Sequence, residues 1–142
     1  FQGEHQDPMT APYPGVPEAL EKLHAAGHPM AIVTSKYFAL ANRVLAHVDF
    51  ARYFDVVIGG DSIDNPKPHP EPVLKALKRL GVSADRALMI GDSPHDIRAG
   101  NAAGVRTVAV LWGPFSREQL KPAFPTHWLD KIAGLVDLAK TG

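Results

Sequence analysis

The stretch that decides the fold is Ala87-Leu88-Met89-Ile90-Gly91-Asp92-Ser93-Pro94-His95-Asp96. Its first four residues are apolar and predict a short buried strand. Gly91 allows a tight turn after that strand, and Pro94 suits the first turn of a helix, which the pattern continues to Ala103 and ends at Gly104. A strand that leads through a polar loop into a helix is the basic unit of α/β proteins.

The same alternation of helix and strand occurs on both sides of this stretch. The predicted helices cover residues 17–26, 38–47, 71–80, 94–103 and 129–140, and the predicted strands cover residues 30–33, 55–58, 87–90 and 107–111. Helix 38–47 is expected to bury Leu40, Val44 and Leu45. Because short apolar strands between helices are typical of parallel sheets covered on both faces, the fold class is α/β, a Rossmann-like three-layer parallel sheet.

Composition excludes several classes of protein. The 142 residues are 45% apolar, and the 15 basic and 15 acidic residues cancel. This balance argues against nucleic acid or anionic membrane as a partner, but it leaves room for a basic pocket that holds one small phosphate. The absence of cysteine and of a bilayer-spanning apolar run favours a cytoplasmic protein with no membrane partner.

The amino terminus is treated separately from the fold. Phe1-Gln2-Gly3 resembles the end of a protease-cleavage tag, so residues 1–8 are predicted to be a vector-derived leader and residues 9–142 one domain. A natural polar amino terminus is the alternative.

Asp92 and Asp96 place two carboxylates close to the end of one predicted strand. Hard oxygen ligands with room for water suit Mg²⁺. Each residue also has a purely structural interpretation, with Asp92 as the helix N-cap and Asp96 as a charge that offsets the helix dipole. The other polar features at strand ends favour the metal site, because ligands of open parallel sheets bind beyond the carboxyl ends of the strands.

Two further features follow predicted strands. Lys67 lies in Asn65-Pro66-Lys67-Pro68-His69-Pro70, where the prolines stiffen the backbone and the ammonium could offset the charge of a phosphate. Thr34 and Ser35 supply hydroxyl and N–H groups for a phosphate, or else they cap the helix that follows. His69 and His95 are interpreted as exposed loop residues, and His127 and Trp128 as packing against the last helix. Asp61 and Asp64 either hold the Lys67 loop or are solvated.

Together these motifs resemble the haloacid dehalogenase-like superfamily, from about Tyr13 to Lys140. Ile32-Val33-Thr34-Ser35 is similar to its second motif, Lys67-Pro68-His69-Pro70 to its third, and Gly91 to Asp96 to its fourth. The resemblance implies that Thr34 or Ser35 binds phosphate, that Lys67 stabilises charge, and that Asp92 with Asp96 holds Mg²⁺. The paired acids favour the phosphatase branch of the family over the dehalogenase branch, which needs no metal. The segments Pro12-Tyr13-Pro14-Gly15-Val16 and Lys67-Pro68-His69-Pro70-Glu71-Pro72-Val73 are most similar to phosphoglycolate phosphatases and related pyrophosphatases.

One part of the family pattern is missing from the sequence. Members of the family begin with a strand that ends in Asp-x-Asp-x-Thr, whose first aspartate is the nucleophile, and a cap usually follows it. Asp7 is followed by Pro8 and is not preceded by an apolar strand, so no residue here is assigned as the nucleophile. In the family that strand is central. The remaining strands are therefore expected either to pair directly or to leave a slot that another segment or a second copy fills, by domain swapping or as a homodimer.

These observations favour a phosphatase domain, a hydrolase of phosphomonoesters, that has little or no activity as this chain alone. The predicted partner is a small phosphorylated molecule or phosphate, and whether the chain is an enzyme by itself stays open. The alternative is a non-catalytic domain that binds phosphate or Mg²⁺ or serves in assembly. A receiver-type domain ranks third, because residues 30–35 lack the acidic pair that it needs.

Overall fold

The computed structural model describes residues 15–140 of the chain, so the predicted leader at residues 1–8, together with Asp7, lies outside the described residues. The helices are α1 (Val16–Ala25), α2 (Phe38–His47), α3 (Glu71–Leu80), α4 (Pro94–Ala103), α5 (Arg117–Leu120) and α6 (Ala133–Lys140). The strands are β1 (Ala31–Val33), β2 (Val56–Ile58), β3 (Leu88–Gly91), β4 (Arg106–Val110) and β5 (His127–Leu129). No helix in this range is long and apolar enough to cross a membrane.

The strands form two parallel groups, which confirms the predicted α/β class. In the first group β1 pairs with β2, and Ile32 lies opposite Val57. The second group has the order β3-β4-β5, with Met89 opposite Thr107. Within residues 15–140 no ladder joins β1 to β3, so the strands on either side of the expected slot have not paired directly.

A cavity of about 670 Å³ lies between the two groups of strands. Ala31 of β1 and Leu88 and Ile90 of β3 line it, and apolar side chains of α1, α3 and α6 complete the wall. The position of this cavity agrees with a Rossmann-like core from which the central strand is missing.

The helices cover the strands on both faces and bridge the two groups. On one face, Ile32 of β1 and Leu88 and Ile90 of β3 share a cluster with the buried side chains of α1 and α6. On the other face, α3 packs against β1 and β2, and it also contacts α4. Met89 points to this second face because side chains alternate along a strand. The result is the predicted arrangement of three layers.

Three sequence predictions are wrong in detail. The last helix does not begin at Leu129, because residues 127–129 form β5, which pairs with β4. His127 and Trp128 are therefore strand residues, and a three-residue strand carries too little periodicity to be recognised before its partner is known. Leu40 is 42% exposed rather than part of the core. In α2 the buried positions are Ala41 and Leu45.

Gly100, in the middle of α4, provides a test of the packing between α4 and the sheet. A Cβ there would lie 2.5 Å from Cγ2 of Thr107 and 3.0 Å from Cβ of Met89. Helix propensity alone favours Gly100→Ala by about 1 kcal/mol, whereas overpacking costs about 1–3 kcal/mol. We expect chemical denaturation to show a net loss of stability. The enlargement Ala102→Leu, at an exposed position of the same helix, is the control and should change stability by less than about 0.5 kcal/mol. A stabilised Gly100→Ala variant would contradict the packing.

Candidate active site at the carboxyl edge of the strands

Four loops meet at the carboxyl edge of the sheet because all the strands run in parallel. They follow β1, β2, β3 and β4. Gly60 N–H donates to the carbonyl of Lys36 (2.8 Å), which links the first loop to the second. The second loop carries Lys67, whose side chain reaches the start of α4 beyond the third loop. The expected convergence of polar residues on one edge is therefore present.

Lys67 and Asp96 form the central contact of this edge. Nζ of Lys67 lies 2.5 Å from Oδ1 of Asp96, and the two side chains are 7% and 0% exposed. Lys67 belongs to the β2–α3 loop and Asp96 to α4, so the pair connects the two groups of strands. Because both charges are removed from water, each strongly depends on the other. Lys67 is therefore a buried residue of this edge and not a solvated loop lysine.

Asp92 lies beside this pair at the end of β3. Its backbone N–H donates to Oδ2 of Asp96 (3.3 Å), and the residue is 7% exposed. The N-cap of α4 is Ser93, whose Oγ accepts the N–H of Asp96 (3.3 Å). The interpretation of Asp92 as the cap is thus wrong. Asp96 does more than offset the helix dipole, because its carboxylate receives both the Lys67 ammonium and the Asp92 N–H.

Thr34 and Ser35 stand at the end of β1, on the other side of the cavity from Asp92. Thr34 is buried, and its Oγ1 accepts the N–H of Lys36 (3.2 Å) in a tight turn, while Ser35 is exposed. Neither caps α2, whose N-cap residue is Tyr37. The first N–H of that helix, on Phe38, donates instead to Oδ1 of Asp61 (2.8 Å).

Two histidines and Asp61 also belong to this part of the molecule. His69 and His95 are exposed, as predicted, but His95 lies in α4 and not in a loop. Asp61 is exposed, and by accepting the N–H of Phe38 it ties the loop that carries Lys67 to the start of α2.

Two glycines of the edge were not recognised from the sequence. A Cβ on Gly60 would collide with the carbonyl oxygen of Ser35, and a Cβ on Gly113, in the loop after β4, would lie 2.7 Å from Cβ of Asp92. The loop backbone at Gly60 thus lies so close to Ser35, and that at Gly113 so close to Asp92, that neither position has room for a side chain. Both glycines follow predicted strands, and this position was the only signal in the sequence. The contacts that require glycine are long-range, so the sequence does not reveal them.

The ion pair can be tested by a double-mutant cycle. Lys67→Met leaves a buried carboxylate without its counter-ion, and Asp96→Asn leaves a buried ammonium, so each should cost about 3–5 kcal/mol in the free energy of unfolding. The double variant should lose clearly less than the sum of the two, because its remaining groups carry no charge. The measurement is denaturant unfolding. The control is Asp49→Asn, since the Asp49–Arg52 pair is exposed and its loss should change little. Additive losses would show that the two groups do not interact.

Comparison with known proteins assigns the family. The profile of the haloacid dehalogenase-like hydrolase family matches residues 1–110. The chain is 39% identical over 129 residues to the phosphoglycolate phosphatase of Aquifex aeolicus, covering 91% of this chain and 59% of that protein. It is 37% identical over 138 residues to the pyrophosphatase PpaX of Bacillus cereus, covering 97% of this chain and 64% of that protein.

A solved structure agrees with these sequences. A subfamily IA hydrolase of the same superfamily, from Geobacter sulfurreducens, superposes with a TM-score of 0.75 at 30% identity, over 88% of this chain and 59% of that one. The chain therefore spans about three fifths of the length of its relatives. The family profile covers more than three quarters of the chain, and the fold agrees with it, so this chain belongs to the haloacid dehalogenase-like hydrolase family.

Proposed function

We propose that this chain provides the phosphate-binding and charge-stabilising part of a phosphomonoesterase active site. The observation that carries the proposal is the buried Lys67–Asp96 pair beside the Asp92 carboxylate, at the edge of the sheet where ligands of parallel α/β proteins bind. A buried ammonium held in place is already oriented when negative charge develops on a phosphoryl group, so little reorganisation is needed during the reaction.

Each side chain of the edge has a distinct part in this proposal. Lys67 stabilises the charge of the phosphate, while Asp96 holds the ammonium of Lys67 in place. Thr34 and Ser35 bind phosphate oxygens from the β1 side. Ser35 is exposed, and the Thr34 hydroxyl, which accepts the N–H of Lys36, retains its own proton to donate.

Mg²⁺ is the proposed cofactor, and the donor set fits it. Asp92 and Asp96 supply two buried carboxylates within one turn, and Mg²⁺ usually takes only one or two carboxylates and keeps several waters. No group of three or more metal-ligating side chains occurs in the described part of the chain, residues 15–140. Since Asp96 already receives Lys67, Asp92 is the principal ligand that we propose. When bound, the ion would neutralise charge on the phosphoryl oxygens.

The nucleophile of the reaction is proposed to come from outside these 142 residues, on a strand that occupies the cavity between β1 and β3. The cavity is largely apolar and opens between two groups of parallel strands, so an extended apolar segment that runs parallel to both suits it. Such a strand would end beside Lys67 and Asp92. We propose a segment of a longer chain as the occupant, and a second copy, in a homodimer or domain swap, is the alternative.

The substrate class follows from the relatives. Phosphoglycolate phosphatase and pyrophosphatase are the names of the compared proteins, so we propose a small phosphorylated molecule as the substrate, without nucleic acid as a partner. Cytoplasm is the proposed compartment, on the absence of cysteine. The second candidate function, a non-catalytic domain that binds phosphate or Mg²⁺ or assists assembly, is favoured by the lack of a nucleophile motif in the sequence.

Ligand binding by the chain as it stands tests the site without any turnover. Isothermal titration with Mg²⁺ and with inorganic phosphate should detect both ligands. Asp92→Asn should weaken Mg²⁺ binding about tenfold or more, and Lys67→Met should weaken phosphate binding by a similar factor, because each removes a charge-assisted contact. Asp137→Asn, an exposed carboxylate of α6, is the control and should leave both affinities unchanged. If neither ligand binds the unaltered chain, only an assembly role is left.

A hydrolysis assay tests whether an added strand must supply the nucleophile. The purified chain should not hydrolyse p-nitrophenyl phosphate with Mg²⁺ present. Adding a peptide of apolar residues that ends in Asp-x-Asp-x-Thr should restore hydrolysis, whereas the same peptide with its first aspartate changed to asparagine should bind without turnover. A peptide with a central proline is the binding control, since proline cannot pair with strands on both sides. Turnover by the chain alone that Asp92→Asn abolishes would overturn the need for an added strand.

A further inference from the structure

Glu71, the first residue of α3, turns its carboxylate back onto the loop that precedes the helix. Oε2 accepts the backbone N–H of Asp64 (2.8 Å), and Oε1 accepts both the backbone N–H (3.2 Å) and the side-chain Nδ2 (3.0 Å) of Asn65. One carboxylate thus receives three donors from two consecutive loop residues, although six or seven residues separate the partners. In the sequence Glu71 stands out only as part of the segment from Lys67 to Val73, with no role of its own.

The same helix end also holds the loop on the other side of Lys67. The backbone N–H of Glu71 donates to Nδ1 of His69 (3.0 Å), and His69 N–H donates to the carbonyl of Pro66 (3.0 Å). One turn further along α3, Nζ of Lys75 donates to the carbonyl of Ser62. The loop is therefore bound to α3 both before and after Lys67.

Lys67 needs such support because it acts across a gap. Its flexible four-carbon stem must bring the ammonium to Asp96 on the other group of strands, and ordering a lysine side chain costs conformational entropy. A loop whose backbone is already fixed limits the additional loss to the side chain itself. We propose that Glu71 is a positioning residue for Lys67: its carboxylate fixes the backbone of residues 64–65 and thereby delivers the ammonium to Asp96 and to a bound phosphate.

This inference extends the proposed function to a residue that does not touch the ligand. The phosphate readout below rests on that proposed function, but the Lys67–Asp96 readout does not. The charge state of Glu71 agrees with its role. The hydrogen bond from the Asp64 N–H, followed by that from the Asn65 side chain, holds the pKa of Glu71 below its usual value, and nearby His69 acts in the same direction. The carboxylate is thus charged at neutral pH and accepts its three donors there.

The decisive experiment repeats the Lys67→Met/Asp96→Asn cycle in a Glu71→Ala background, with Glu71→Gln as a milder second variant that keeps one acceptor oxygen. Glu18→Ala is the matched control, since Glu18 is also acidic and lies in the first turn of a helix, α1. Amide hydrogen exchange of Asp64 and Asn65 reports the local contacts, and titration with inorganic phosphate reports the site.

With Glu71→Ala we expect exchange at Asp64 and Asn65 to become about tenfold faster. We expect the coupling between Lys67 and Asp96 to fall to less than half. Phosphate affinity should fall about tenfold, as a misplaced catalytic group would cause. Glu71→Gln should lie between wild type and Glu71→Ala, and Glu18→Ala should match wild type in all three measurements.

Faster exchange with unchanged coupling would show that Glu71 orders its loop without positioning Lys67, and the proposal would then fail. If the unaltered chain does not bind phosphate, the proposed function fails, while the coupling measurement still decides the role of Glu71.

Discussion

The buried ion pair between Lys67 and Asp96 is the constraint on which the carboxyl edge depends. The two residues belong to different groups of strands, and within residues 15–140 no strand ladder connects those groups at β1 and β3. Helices α1, α3 and α6 join the groups through apolar contacts, which are not directional. The ion pair adds a directional link, because a buried charge tolerates few alternative partners. It therefore sets the distance between the loops that would surround a ligand.

Polar and apolar side chains occupy two different regions between β1 and β3. At the edge of the sheet, Asp92, Lys67 and Asp96 form a buried polar cluster on which phosphate and Mg²⁺ binding can be based. Below it, the cavity between β1 and β3 has mainly apolar walls and suits an extended strand. A strand in that position would place its last residues at the polar cluster. The gap in the sheet therefore lies where the proposed strand with the nucleophile would be needed.

The loops of the edge are held by long-range contacts rather than by their own composition. Glu71 fixes the loop of Lys67 from the start of α3, and Asp61 in that loop caps the first N–H of α2. Gly60 and Gly113 allow neighbouring loops to approach Ser35 and Asp92. Each contact joins a loop to an element that lies outside it. Ligand groups at this edge are thus supported by a connected frame, as preorganised sites require.

Local patterns in the sequence were enough to predict the order of helices and strands, the parallel sheet and the meeting of Lys67, Asp92 and Asp96 at one edge. These features follow from apolar periodicity and from residue types next to strand ends, which are properties of neighbouring residues. Tertiary structure alone decided that Ser93 rather than Asp92 caps α4, that residues 127–129 form a strand, and that Glu71 orders the Lys67 loop. Each of these depends on a partner brought close by folding, and spacing along a single sequence does not reveal such partners.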